Sequence, residues 1–235
     1  MIESSYRVVL LLRRDLRLSP EDFALAWTGS EALPALPHLQ GRTFSVPASA
    51  AVPIQNVSAP AYDGVEELRF ASREHAATAL ADPAMRRWVS QRSGLLRAAA
   101  EVVSGTTVLV WQRKADQSRA VKIFTLPIRR AGMTFAAFRS HWIDRHAGLA
   151  LDGPGTRERL LQLASTPADR VSWDMCVTAP FDGIGVIQFD SPESMAAEFA
   201  SEHYRNVMAP DEPLFTDAAK SAALIVEQVV HRDFR

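Results

Sequence analysis

The 235-residue sequence predicts an α+β fold: two tandem ferredoxin-like βαββαβ units whose sheets close on each other as an intrachain α+β barrel. Three observations lead there. First, the chain repeats itself. Leu18-Ser19 followed by Phe23 and Trp27 recurs, at an offset of 115, as Met133-Thr134 followed by Phe138 and Trp142; Tyr62-Asp63-Gly64-Val65 recurs, at an offset of 119, as Phe181-Asp182-Gly183-Ile184. Two matches in one order imply a duplicated unit with a small loop insertion. Second, the apolar runs Val8 to Leu12 and Val121 to Leu126 precede the matched blocks, and each is followed by paired arginines, Arg13-Arg14 and Arg129-Arg130. Third, Val8 to Leu12 is continuously apolar rather than alternating, as in a strand buried on both faces. A sheet with helices on one side needs cover on the other, and the second sheet supplies it.

The units are expected at residues 6 to 111 and 120 to 230, and their elements follow in order. In the first, Ser19 is the N-cap of helix one, Pro20 takes the first helical position, and Asp22 adds a negative charge near the positive end of the dipole. In the second, Thr134 takes the cap, and Phe138, Trp142 and His146 follow at i, i+4 and i+8 along one slowly drifting stripe. Ser72 and Ser191-Pro192-Glu193 open the second helices by the same capping logic. The second strands are expected over Arg42 to Pro47 and Arg159 to Ser165, and the last over Thr106 to Trp111 and Leu224 to Val230. Ile184, Val186 and Gln188 share one face of the third strand, where the first unit has Val65, Glu67 and Arg69. If that face is the barrel interior, Glu67 and Arg69 must be paired.

Composition removes several classes of function. Twenty-six basic against twenty-seven acidic residues leave a formal charge of −1, with no basic stripe for nucleic acid. No apolar run reaches the roughly 18–20 residues of a membrane-spanning helix, and the N-terminus is not ordered like a signal peptide. Cys176 is the one cysteine, so no intrachain disulfide can form. A cytoplasmic protein without nucleic-acid or membrane partners is expected.

The residues now quoted resemble the EthD family of the dimeric α+β barrel superfamily. An apolar strand, two basic residues, Ser/Thr-x-x-x-Phe-x-x-x-Trp-x-x-x-His-Ala, Asp-Gly before an apolar strand and Ser-Pro-Glu opening a helix carry the resemblance over residues 120 to 230, and Asp211, Phe215 and Asp217 also fit it. Residues 6 to 111 carry a degraded version, with Glu31 in place of His146. The resemblance implies an enzyme of the kinds such barrels host, namely cofactor-free cyclases, isomerases, dehydratases, decarboxylases and oxygenases of small aromatic or polyketide-like molecules, with haem in some.

Site signals are sparse. There is no dinucleotide fingerprint, phosphate loop or nucleophile elbow. His141 and His146 lie five apart, roughly 140° around an α-helix, so they are not expected to meet on one face. His146 is the candidate catalytic acid or base, since an imidazole there can move a proton at neutral pH; the alternative is a histidine bonded to a helix-terminal carbonyl. Trp142, Phe138 and Tyr204 are the candidate substrate-binding residues, with core packing the competing reading for Trp142 and Trp27. His203 is a weaker candidate for proton transfer, and Asp174, Asp182, Asp211 and Asp217 read as turn and cap residues. The expected function is a lyase-, isomerase- or cyclase-type enzyme without metal or cofactor, acting on a small hydrophobic or aromatic molecule. A non-catalytic ligand-binding protein and a haem- or oxygen-using oxygenase are the alternatives. Only the second unit is expected to carry chemistry; the chain does not need a partner to cover its sheets, and a homodimer, which such chains commonly form, would use helices or edge strands.

Overall fold

The structure, a computed structural model, describes residues 5–29, 33–48 and 62–234. The first half runs β1 (Ser5–Leu12), α1 (Pro20–Thr28), β2 (Leu39–Pro47), β3 (Gly64–Phe70), α2 (Arg73–Ala81), α3 (Pro83–Arg92) and β4 (Glu101–Gln112). In the second half β5 (Val121–Leu126) leads to α4 (Phe135–Ser140), which passes through a π-helical turn (His141–His146) into α5 (Ala147–Leu151). Then come α6 (Thr156–Arg159), β6 (Leu160–Pro167), β7 (Val177–Thr178), β8 (Gly183–Phe189) and α7 (Pro192–Ala200). A second π turn (Tyr204–Met208) runs into α8 (Ala209–Phe215), and β9 (Ala222–Asp233) closes the chain.

The pairing explains the barrel. The first four strands lie in the order β2-β3-β1-β4, and their counterparts in the order β6-β8-β5-β9. Residues 101–107 of β4 pair with β1 and residues 108–112 with β6; residues 222–226 of β9 pair with β5 and residues 226–233 with β2. Each 12-residue strand therefore bridges both sheets, and eight antiparallel strands close. Both bridging strands exceed the expected Thr106 to Trp111 and Leu224 to Val230, because backbone ladders extend through polar residues that a search for apolar runs discards. The short β7, parallel to β4, and α3 were not legible as elements.

Burial on both faces of β1 has the expected cause. Val9 and Leu11 join Val65, Phe124 and Val186 inside the barrel, while Val8, Leu10 and Leu12 face the helices with Phe23 and Trp27. The predicted caps form: Ser19, Ser72, Thr134 and Ser191 each accept a backbone N–H three residues on. The repeated Arg and Asp-Gly motifs are equivalent clasps. Arg14 pairs with Asp63 at 2.9 Å, and Arg129 with Asp182, whose carboxylate also accepts the Arg129 backbone N–H at 2.8 Å. Glu67 points into the barrel and is paired as required, with Lys122 at 2.9 Å and Arg7 at 3.2 Å, whereas Arg69 reaches the exposed rim and pairs with Asp233.

Candidate functional site

The two helix-facing layers are filled differently. In the first half, Phe23, Trp27, Phe44 and Trp88 interlock with ring centroids 5.4 to 6.4 Å apart. Glu66, wholly buried, accepts from Trp27 Nε1 at 2.8 Å and Arg42 Nε at 2.7 Å. Strand register supplies the second-half equivalents. Gly185 opposes Ser165 as Glu66 opposes Phe44, and Thr125 opposes Gly185 as Leu10 opposes Glu66. Small residues thus replace a carboxylate, a phenyl ring and an isobutyl group. A cavity of about 170 Å³ results, between the second sheet and α5, α7 and α8. Trp142 roofs part of it by lying over glycine: a Cβ on Gly183 would come 2.6 Å from the indole, and one on Gly185 3.3 Å from it.

His146, Tyr204, Glu212 and Phe215 also line this cavity. Sequence geometry separated His141 from His146, and the structure reverses that expectation. They span a π-helical turn, whose wider winding brings residues five apart onto one face, and both reach the same oxygen of Asp211: His141 Nε2 at 3.0 Å and His146 Nδ1 at 2.9 Å. Arg145 Nε donates to the other oxygen at 3.0 Å. Asp211 is 3% exposed and is no turn residue. Burial raises its pKa, but donors from His146, Arg145 and His141 outweigh that and hold the carboxyl below its usual range. An ionised carboxylate only accepts, so His146 carries its proton on Nδ1 and keeps a bare lone pair on Nε2. Burial lowers the His146 pKa below 6.5, and Asp211 offsets only part of that shift. The imidazole is therefore neutral at pH 7 and available as a base.

A second proton-active pair lines the same cavity. Tyr204 donates its hydroxyl to Glu212 Oε1 at 3.1 Å. Burial, with a smaller contribution from the Asp211 charge, pushes the Glu212 carboxyl up to about 6, and burial also raises the Tyr204 phenol. Sequence reasoning took Asp211 for a turn or cap residue and did not single out Glu212. The available signal was Asp211 and Phe215, four apart on α8: the Phe215 ring lies 4.9 Å from both imidazoles, so one helix face orients both histidines.

The other expected residues divide. Phe138 is not at the cavity wall; it is fully buried and packs behind it against Trp142 and Phe215. His203 donates or accepts nothing at the cavity, its Nε2 bonding the Leu149 carbonyl at 2.8 Å. Trp27 is core. Glu31 lies outside the described residues. Among the described residues no group of three or more His, Cys, Asp or Glu side chains is arranged to hold a metal, and no helix is long and apolar enough to cross a membrane.

Comparison with known proteins bears on the domain and the fold. Residues 130–219 match the family model of the EthD domain. A search of curated protein sequences returns no match. Among crystal structures, a candidate monooxygenase from Fusobacterium nucleatum subsp. nucleatum superposes with a TM-score of 0.64 at 5% identity, covering 99% of this chain and 95% of its own. A candidate monooxygenase from Lactobacillus acidophilus gives 0.56 at 10% identity, covering 98% and 96%, and an anthrone oxidase-like protein gives 0.59 at 10%, covering 98% and 93%. What such distant structures share with this chain is its fold.

Proposed function

We propose that the chain is a cofactor-independent enzyme that moves a proton on a small hydrophobic or aromatic molecule bound between the second sheet and its helices. The observation that carries this reading is the neutral His146, locked by Asp211 with its lone pair on Nε2, in the wall of a mainly apolar cavity. A cavity of about 170 Å³ suits a compact ring, since an apolar cavity of about 150 Å³ accepts benzene. His146 Nε2 takes a proton from the substrate, the lowered pKa keeping the base unprotonated at pH 7, and the imidazolium is stabilised as it forms by the Asp211 carboxylate. Glu212, with its carboxyl near 6, returns a proton or holds a substrate oxygen together with Tyr204. Lyase-, isomerase- and cyclase-type reactions all share that first step.

We infer also that residues 6–111 and 120–230 are copies of one unit, of which only the second retains chemistry; the matched clasps and strand orders support this. A second functional reading draws on the names of the structural neighbours, monooxygenase and anthrone oxidase-like. An electron-rich anion left by proton removal can react with dioxygen, and oxygen consumption separates that outcome from rearrangement. Haem does not fit the cavity: His146 offers a suitable donor, an Nε2 on an imidazole whose Nδ1–H is held by a carboxylate, but about 170 Å³ falls below even the roughly 300–1,000 Å³ typical of drug-sized ligands. Native mass spectrometry of the purified protein tests the reading. A captured small ligand that wild type converts and His146→Ala binds unchanged supports an enzyme; equal conversion by both overturns the role of His146, and a ligand converted by neither leaves a binding protein.

A further inference from the structure

The barrel contains a second hollow, away from the helix-facing cavity. Its interior is apolar around Val9, Leu11, Val65 and Phe124, but at one end it opens into a polar space of about 240 Å³. At the floor Glu67 accepts from Lys122 Nζ at 2.9 Å and from Arg7 Nη1 at 3.2 Å. The three side chains are only 9 to 12% exposed. One carboxylate thus faces two cations, and this trio carries a net charge of +1.

Neighbouring charges do not cancel it. Arg69 is matched by Asp233, Arg113 by Asp190 and Arg42 by Glu66, while His231 bonds Thr43 and lies 3.4 Å from Asp233. The remaining polar wall is amide. Gln188 lies opposite Lys122, Gln162 opposite Gln188 and Gln112 opposite Gln162, with Gln228 also facing the space. None of these four amides hydrogen-bonds another described residue. An unbalanced buried charge is costly until an opposite charge meets it, and amides that reach solvent can donate to and accept from a ligand.

We propose that this end of the barrel is a second binding site, for a small hydroxylated carboxylate. Its carboxylate lies beside Lys122 and Arg7 and makes the floor neutral; its hydroxyls meet the glutamine amides. The space of about 240 Å³ exceeds a cavity of about 150 Å³ that accepts benzene, and so has room for a short-chain hydroxy acid. The site is independent of His146 and of the reaction proposed there.

Calorimetric titration of the full chain with glycerate, against glycerol and chloride as controls, tests this. Glycerate is expected to bind and both controls to fail. Lys122→Gln leaves Glu67 and Arg7 balanced and is expected to weaken glycerate at least tenfold; Glu67→Gln leaves two cations and is expected to strengthen it several-fold. Gln188→Leu, which alters no charge, keeps the test open if a charge variant does not fold: it is expected to weaken glycerate while leaving acetate, which lacks hydroxyls, unchanged. No binding of glycerate by wild type, equal binding of glycerol, or charge variants that leave affinity unchanged or shift it the other way would overturn the proposal, as would Gln188→Leu without effect on glycerate.

Discussion

Asp211→Ala strips three donors of their acceptor at once. Arg145 is 60% exposed and regains water, so its share is about 0–1 kcal/mol. The imidazoles of His141 and His146 are only 17% and 16% exposed. Each N–H left without a partner costs about 1–3 kcal/mol, which places the total near 4 kcal/mol. For a chain of this size each kcal/mol moves the melting midpoint by about 2–4 °C, so a fall of roughly 8–16 °C is expected. Asp174→Ala is the control: its carboxylate is 83% exposed on Arg86, and its loss is expected to stay within about 0.5 kcal/mol. Melting followed by circular dichroism at pH 7.5 measures both. Asp211→Asn adds an electrostatic arm, because it preserves shape while removing charge. Burial already holds the His146 pKa below 6.5 against the pull of Asp211, so the variant's imidazole is expected to titrate lower still by proton NMR. An Asp211→Ala midpoint indistinguishable from that of Asp174→Ala, or a His146 pKa that rises in Asp211→Asn, would refute the reasoning.

Four further outcomes follow from the same contacts. Glu66→Ala leaves the buried Arg42 and Trp27 Nε1 without their acceptor and is expected to cost about 3–5 kcal/mol in chemical denaturation, far more than removal of an exposed carboxylate. Phe44→Ala, also about 3–5 kcal/mol, is expected to open in the first half an apolar hollow like that of the second, visible by xenon binding in a crystal. Gly183→Ala sets a Cβ 2.6 Å from Trp142 and 2.9 Å from the Thr166 carbonyl oxygen, so a loss of about 1–3 kcal/mol with a shifted indole fluorescence maximum is expected. The pH dependence has two opposed parts. The folded His146 pKa lies below its unfolded value, so the unfolded chain binds the extra proton in that window and stability rises with pH up to about 6.5; Glu212 is raised to about 6, so it lowers stability as pH climbs from about 4.5, and Glu212→Gln is expected to raise the midpoint at pH 7.5.

The fold was legible because its signals are local and repeated. Ser19, Thr134, Ser72 and Ser191 specify helix starts through contacts three residues away, and the Asp-Gly turns recur with their arginines. The barrel followed from Val8 to Leu12, whose continuous apolar character only a two-sided core explains. The site was legible in part. His146 and Trp142 stood out by their stripe, but Phe138, on the same stripe, faces the wall rather than the cavity, since a 3.6-residue period fixes a helix face and not the depth of each side chain. Asp211 was misread because its partners lie 65 to 70 residues away and because α-helical geometry keeps His141 and His146 apart. The π turn that joins them left no mark in composition. The cavity was hidden for a related reason: it consists of atoms absent at Gly185, Ser165 and Thr125, and only register with Glu66, Phe44 and Leu10 makes the absence visible.

Hydrogen exchange into the bound small molecule reports directly on proton transfer by His146. The ligand captured by the protein is incubated in heavy water with wild type and with His146→Ala, recovered and weighed by mass spectrometry. Deuterium gain is expected with wild type, at a rate that rises with pH as His146 loses its proton, with a midpoint below 6.5, and no gain with a His146→Ala variant that still binds the ligand. Equal deuterium gain in the two proteins would contradict the role given to His146, and no gain in either would contradict proton transfer itself.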